Sequence, residues 1–183
     1  KVVIDSVVKY YSEYTANAHR GDYKNSAIVD KIYEETRDKV RDFIGARESS
    51  EIVFTSGATD GLNRIVFGYF KKYLKQGDEV LLNKAEHASN ILPWIRLSEE
   101  IGIVIKYVPL NDDYELTLDN IKKEVTEKTK VISLAHVSNV LGDVRDISAI
   151  GEFAHQNNIL FNVDGAQSVP HMKVDFKKSN ADF

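Results

Sequence analysis

The stretch Ile159-Leu-Phe-Asn-Val-Asp-Gly-Ala-Gln-Ser-Val-Pro170 decides the fold. A short, mostly apolar run enters a lone acid, then a glycine and a polar tail. A run of this kind reads as a strand buried on both faces of a parallel sheet. Asp164 then stands at the carboxyl end of the strand, and Gly165 opens the turn. In open α/β sheets that edge is where ligands bind. A carboxylate placed there either caps the next segment or holds a cationic group of a ligand.

Working outward, the same pattern recurs upstream. Residues 51–55, 79–83, 103–108 and 130–135 read as four further strands. Between them lie helical spacings over 62–74, over 89–101 with Pro93 admitted in the first turn, from the Thr117 cap to 125, and over 147–156. Before the first strand, Val3, Val7, Val8 and Tyr11 mark a helix, and residues 12–23 form a polar, aromatic loop containing His19-Arg20-Gly21. Asn25 or Ser26 then caps a long amphipathic helix whose stripe runs through Val29, Ile32, Tyr33, Val40, Phe43 and Ile44, with Gly45 closing it. Strands that alternate with helices require crossover connections. The expectation is an α/β fold of three layers, a mainly parallel sheet flanked by helices. No internal repeat, low-complexity segment or linker interrupts it.

A composition of 43% hydrophobic and 28% charged residues is that of an ordinary globular chain with enough length for one substantial core. The net charge of −4 gives no footprint for nucleic acid or an anionic membrane. No apolar run approaches the roughly 18 residues that span a bilayer, and no signal segment opens the chain, so a cytoplasmic protein is expected. Cysteine is absent, which excludes disulfides, thiolate metal sites and a cysteine nucleophile within these residues. Lys1-Val-Val-Ile-Asp5 does not read as a natural start, and the chain stops as another apolar run begins after Asn180; a fragment is expected.

Each strand end carries a candidate site. Ser56-Gly-Ala-Thr-Asp-Gly61 joins strand to helix through small residues that admit an anion to backbone N–H groups, or it is a tight turn with a Ser/Thr cap. It is neither a Walker A loop nor a Gly-x-Gly-x-x-Gly fingerprint. His87, in Glu86-His-Ala-Ser-Asn90, is either a cap or a functional ring. His87 and His136 lack a third ligand at metal spacing, which argues against zinc. Asn139 and Gln167 either present amides to a ligand or build local turns. Together the sites suit a ligand with a phosphate, a flat ring and a ring nitrogen that stays protonated, a description met by pyridoxal 5'-phosphate. A nicotinamide cofactor fits less well, since its glycine fingerprint is missing.

The motifs Asn17-Ala-His-Arg-Gly21, Thr55-Ser-Gly-Ala-Thr-Asp-Gly61, Glu86-His-Ala-Ser-Asn-Ile-Leu-Pro-Trp94, His136-Val-Ser-Asn-Val-Leu-Gly142 and Val163-Asp-Gly-Ala-Gln167 carry a family resemblance over essentially the whole chain. The sequence resembles the cysteine desulfurase/selenocysteine lyase family, within the class V aminotransferase group of fold-type I pyridoxal-phosphate enzymes, and is more similar to its second desulfurase group than to its first. The resemblance implies that residues 1–183 are part of the cofactor-binding large domain, with 1–24 an N-terminal helix and active-site loop. It implies that Ala58 and Thr59 bind the cofactor phosphate, that His87 stacks on the ring and is a candidate for proton transfer, that Asn139 and Gln167 approach the ring's 3-oxygen, and that Asp164 meets the ring nitrogen. His19 and Arg20 match a segment near the substrate pocket. Ala88 stands where the group often has a second histidine, which leaves the stacking position intact.

The family's Schiff-base lysine, in a Ser-Gly-His-Lys motif, its nucleophilic cysteine and its carboxylate-binding arginine fall beyond Phe183. The implied full protein converts L-cysteine, or L-selenocysteine, to L-alanine, works as a homodimer and passes sulfur to iron–sulfur assembly or another acceptor; these residues alone are expected to be inactive. Other class V chemistries (aminotransferase, kynureninase-like hydrolase, epimerase) and a non-catalytic chain that binds the cofactor or a partner are the rival readings.

Overall fold

The computed structural model describes all 183 residues, in two compact units, Lys1–Val53 and Phe54–Phe183. The first contains α1 (Val2–Glu13), none of whose residues is buried, and α2 (Lys24–Ile44). Gly45 closes α2 in the left-handed conformation, φ 71°, which only glycine adopts at no steric cost. The start differs from expectation: Tyr23 occupies the cap position, so Asn25 and Ser26 lie inside the first turn, with Ser26 buried.

The second unit alternates helix and strand. It runs through α3 (Ala58–Arg64), a π-helical stretch (Ile65–Phe70), α4 (Lys71–Tyr73), β1 (Glu79–Asn83), α5 (Ala88–Ile101), β2 (Val104–Val108), α6 (Leu118–Glu124), β3 (Thr129–Ala135), α7 (Ile147–Gln156), β4 (Leu160–Asp164), α8 (Ser168–His171) and α9 (Phe176–Ser179). The four strands are parallel throughout, in the order β2-β1-β3-β4. Successive residues of a strand feed opposite faces. Leu81, Ile132, Leu134 and Phe161 join one core cluster with Ile121 of α6 and Ile150 and Ala154 of α7. Val80, Leu82 and Val131 join another with Phe70 and with Trp94 and Leu97 of α5. Burial on both faces explains the near-continuous apolar strands. No helix is long and apolar enough to cross a membrane.

Three expectations are corrected. Residues 51–55 are not a strand: a 3₁₀ turn, Ser49–Glu51, leads into extended chain with no ladder partner, Ile52 is buried, and Val53 is 73% exposed. An apolar run becomes a strand only where another strand takes its N–H and C=O groups, so the sheet has four strands, not five. The following helix starts at Ala58 rather than at 62, because the Gly57 turn, φ 152°, delivers the chain straight into it. Pro93 lies beyond the first turn of α5, which begins at Ala88.

The crossovers fix where a ligand can enter. From β1 the chain moves out to β2; from β3 it moves the other way, to β4. The direction reverses between β1 and β3, and in a parallel sheet the reversal opens a crevice outside the carboxyl ends of those strands.

Candidate functional site

A cleft of about 140 Å³ occupies that crevice, lined by Ala58, Thr59, His87, Ser89, Ala135, Val137, Asn139, Asp164, Ala166 and Gln167. All six cofactor-binding candidates, Ala58, Thr59, His87, Asn139, Asp164 and Gln167, are therefore brought together. His19 and Arg20 are not among the lining residues. They lie in the first unit, where His19 Nε2 is 3.4 Å from Glu34 Oε1 and the His19 N–H donates to Asp30 Oδ1.

Where a residue had both a local and a ligand reading, the hydrogen bonds separate them. His87 is the cap of α5: its Nδ1 accepts from the Ser89 N–H at 3.2 Å. That bond leaves Nε2 to carry the proton of the neutral ring and fixes one ring edge to the helix while the ring lines the cleft. Asp164 also has a local bond, Oδ1 accepting from the Ala166 N–H at 3.0 Å. Its second oxygen has no partner within the chain, although the residue is only 7% exposed.

Asn139 does not build the turn. Ser138 Oγ does so, accepting from Val140 N–H at 3.3 Å and Leu141 N–H at 3.2 Å, and the Asn139 amide is left without an intramolecular bond. Gln167 stands at the cap position of α8, and its side chain caps nothing.

At the start of α3 no side chain caps the helix, contrary to the Ser/Thr-cap reading of this loop. The first N–H groups of a helix have no intrahelical acceptor, so those beside Ala58 and Thr59 are available to an anion. Thr59 Oγ1 is 2.7 Å from Ser89 Oγ, so two hydroxyls from different helices meet at this end of the cleft. Asp60 faces away from that anion site in its bonding: it accepts from Arg64 Nε at 2.8 Å and from Ser56 N–H at 3.2 Å, and the Arg64 guanidinium holds its carboxyl below the usual value. Ser89 is the lining residue whose chemistry the sequence reading passed over; its signal was a hydroxyl two positions after His87 in the same motif.

Beneath the cleft a charged pair is fully buried. Arg145 Nη1 donates to Glu86 Oε1, and neither side chain is exposed. Burial pushes the Glu86 carboxyl up from its ordinary value, against the opposing pull of Arg145 and of donors from Asn90 and Ala135. His136, at the end of β3, has its pKa lowered by burial, and its Nδ1 is buried without a partner.

The class-V aminotransferase family model matches residues 1–183. A protein of Borreliella burgdorferi named a probable cysteine desulfurase is 43% identical over 184 residues, which is 100% of this chain and 44% of that protein. Another so named, from Halalkalibacterium halodurans, is 39% identical over 99% of this chain and 45% of its own. The solved apo structure of a cysteine desulfurase from Thermococcus onnurineus superposes with a TM-score of 0.92 at 37% identity, covering 98% of this chain and 44% of that one. The chain spans a little under half the length of these relatives.

Proposed function

The chain belongs to the class-V aminotransferase family, and we propose that it forms the cofactor-binding part of a cysteine desulfurase that uses pyridoxal 5'-phosphate. The observation that carries the reading is the convergence of Thr59, His87, Asn139, Asp164 and Gln167 in one cleft at the carboxyl edge of the sheet. The donor set fits the cofactor. N–H groups and the Thr59 hydroxyl at the start of α3 would take the phosphate. The His87 ring would lie against the pyridine ring, the Asn139 and Gln167 amides would meet its 3-oxygen, and the unpartnered Asp164 oxygen would hold the proton on its nitrogen.

When bound, the cofactor supplies an electron sink for a carbanion at the substrate's α-carbon. The chain's own residues prepare that chemistry. Asp164, only 7% exposed, would make a charge-assisted bond that favours a protonated ring nitrogen. The Ser89 N–H orients His87, leaving Nε2 as the proton-bearing nitrogen at the cleft. The substrate is L-cysteine, and the products are L-alanine and sulfur carried on a cysteine outside these residues. The whole protein is a cytoplasmic homodimer that feeds sulfur to iron–sulfur assembly or another acceptor.

The test is made on the whole protein. Pyridoxal 5'-phosphate is titrated by absorbance, and alanine and sulfide are then measured with L-cysteine and, in parallel, with L-selenocysteine under a thiol reductant. Saturable binding with alanine formed from L-cysteine supports the proposal. Binding without alanine from either amino acid overturns the desulfurase reading, and an absence of binding overturns the cofactor reading.

A further inference from the structure

The ladder between β1 and β3 stops early. Its last pair is Leu81↔Ile132, whereas β3 and β4 pair through to Ala135↔Asp164. In that register β1 ends, at Asn83, opposite Leu134, so Ala135 at the tip of β3 has no strand residue beside it on the β1 side. Two side chains stand there instead. Glu86 Oε2 accepts from the Ala135 N–H at 2.6 Å, and Arg145 Nη1 donates to the Ala135 carbonyl at 3.1 Å. They thus satisfy the two main-chain groups that a neighbouring strand would otherwise take.

The pair is tied to each wall of the cleft. Glu86 Oε2 also accepts from Asn90 of α5 at 3.0 Å; Asn90 Oδ1 accepts from the Ser133 hydroxyl at 2.7 Å, which accepts from Asn162 of β4 at 2.8 Å. On the other side Arg145 Nε lies 3.3 Å from Asp143 Oδ2, within the loop that also carries Asn139. Two apolar side chains of similar volume often stabilise a fold as well as a buried ion pair does. They would leave the Ala135 N–H and carbonyl unpaired and would remove the side-chain link between residue 86 and the end of β3.

We propose that Glu86 and Arg145 are positioning residues of the crevice. Their ion pair continues the β1–β3 connection past the end of β1, by bonding the Ala135 main chain, and sets the spacing between His87, which adjoins Glu86 in the chain, and Ala135 and Asn139 on the facing wall. The proposal rests on the cofactor reading above.

The experiment compares Glu86→Gln, Arg145→Lys and a control, Ile121→Val, in the whole protein. Ile121 is buried in the core cluster of α6 and α7 and does not line the cleft. Pyridoxal 5'-phosphate affinity and the absorbance band of the bound cofactor are measured at a temperature where circular dichroism shows each variant folded. Hydrogen exchange of residues 84–90 and 133–140 is measured without cofactor. Both pair variants are expected to bind roughly tenfold or more weakly, the loss typical of removing a supporting contact, with a shifted band and faster exchange in those two segments. The control is expected to match the wild type in all three. Wild-type affinity, band and exchange in a folded pair variant would overturn the proposal, as would equal losses in the control. If the wild type binds no cofactor, the cofactor reading fails while the exchange measurement still decides the positioning role. Glu86→Gln preserves side-chain shape and carries the test should Arg145→Lys fail to fold.

Discussion

Asparagine and alanine at position 164 separate the two tasks of the carboxylate. Oδ1 accepts from the Ala166 N–H at 3.0 Å, and the other oxygen is unpartnered at the cleft. Asp164→Asn keeps an acceptor for that N–H, so folding stability changes little. Asp164→Ala removes it and leaves a part-buried N–H unpaired, which costs about 1 kcal/mol. For a chain of this length that is a fall of about 2–4 °C in Tm.

On the ligand side both variants lose the same thing. A bond between a protonated ring nitrogen and a carboxylate is charge-assisted and contributes about 1.5–3 kcal/mol. Its loss weakens pyridoxal 5'-phosphate binding by roughly 10- to 150-fold. The assay pairs an equilibrium absorbance titration at fixed pH with thermal unfolding of the cofactor-free protein. The expected pattern is weak binding in both variants and a lowered Tm in the alanine variant alone. Wild-type affinity in Asp164→Asn would show that the carboxylate only closes a turn, and the reasoning from the strand end to the ring nitrogen would be wrong.

Arg145→Met leaves the buried Glu86 carboxylate uncompensated and is expected to cost about 3–5 kcal/mol at neutral pH. Because burial raises the Glu86 pKa above 4.5, the folded variant binds that proton more tightly than the unfolded chain, so the deficit shrinks toward pH 5 and grows toward pH 8; equal deficits in denaturant unfolding at the two pH values would refute it. Gly151→Ala in α7 would put a Cβ 2.1 Å from the Ser179 carbonyl oxygen, and backbone must move; a loss of about 1–3 kcal/mol is expected, and an unchanged Tm would contradict this packing. Burial lowers the His136 pKa below 6.5, so the unfolded chain binds its proton more tightly, and the stability present above pH 6.5 is lost as pH falls. His136→Gln should therefore flatten the fall in Tm between pH 7 and pH 5, and parallel curves would sink the assignment.

Much of the fold was legible because its signals are local. The apolar runs that became β1 to β4, the Gly45 turn and the Thr117 cap each act within a few residues, and Thr117 Oγ1 does accept from the Asn120 N–H. The run at 51–55 misled because apolar composition does not ensure pairing: only Ile52 is buried, and no strand of the sheet pairs with the run. Pro93 and the early start of α3 were misplaced by a few residues for a related reason: tertiary packing and the turn at Gly57 set those boundaries, whereas propensity sets them only loosely.

The sequence by itself determined that strands alternate with helices and that Thr59, His87, Asn139 and Asp164 follow strand-like runs, since a residue's place along its own element depends on its neighbours in the chain. Only the tertiary structure decided which strand ends face one another. The order β2-β1-β3-β4 puts the crevice between β1 and β3, brings Thr59 to Ser89 across 30 residues, and buries Arg145 against Glu86 across 59. Arg145 gave no local sign of burial, because a guanidinium is taken out of water only when a carboxylate and a free carbonyl wait for it, and both arrive from other parts of the chain.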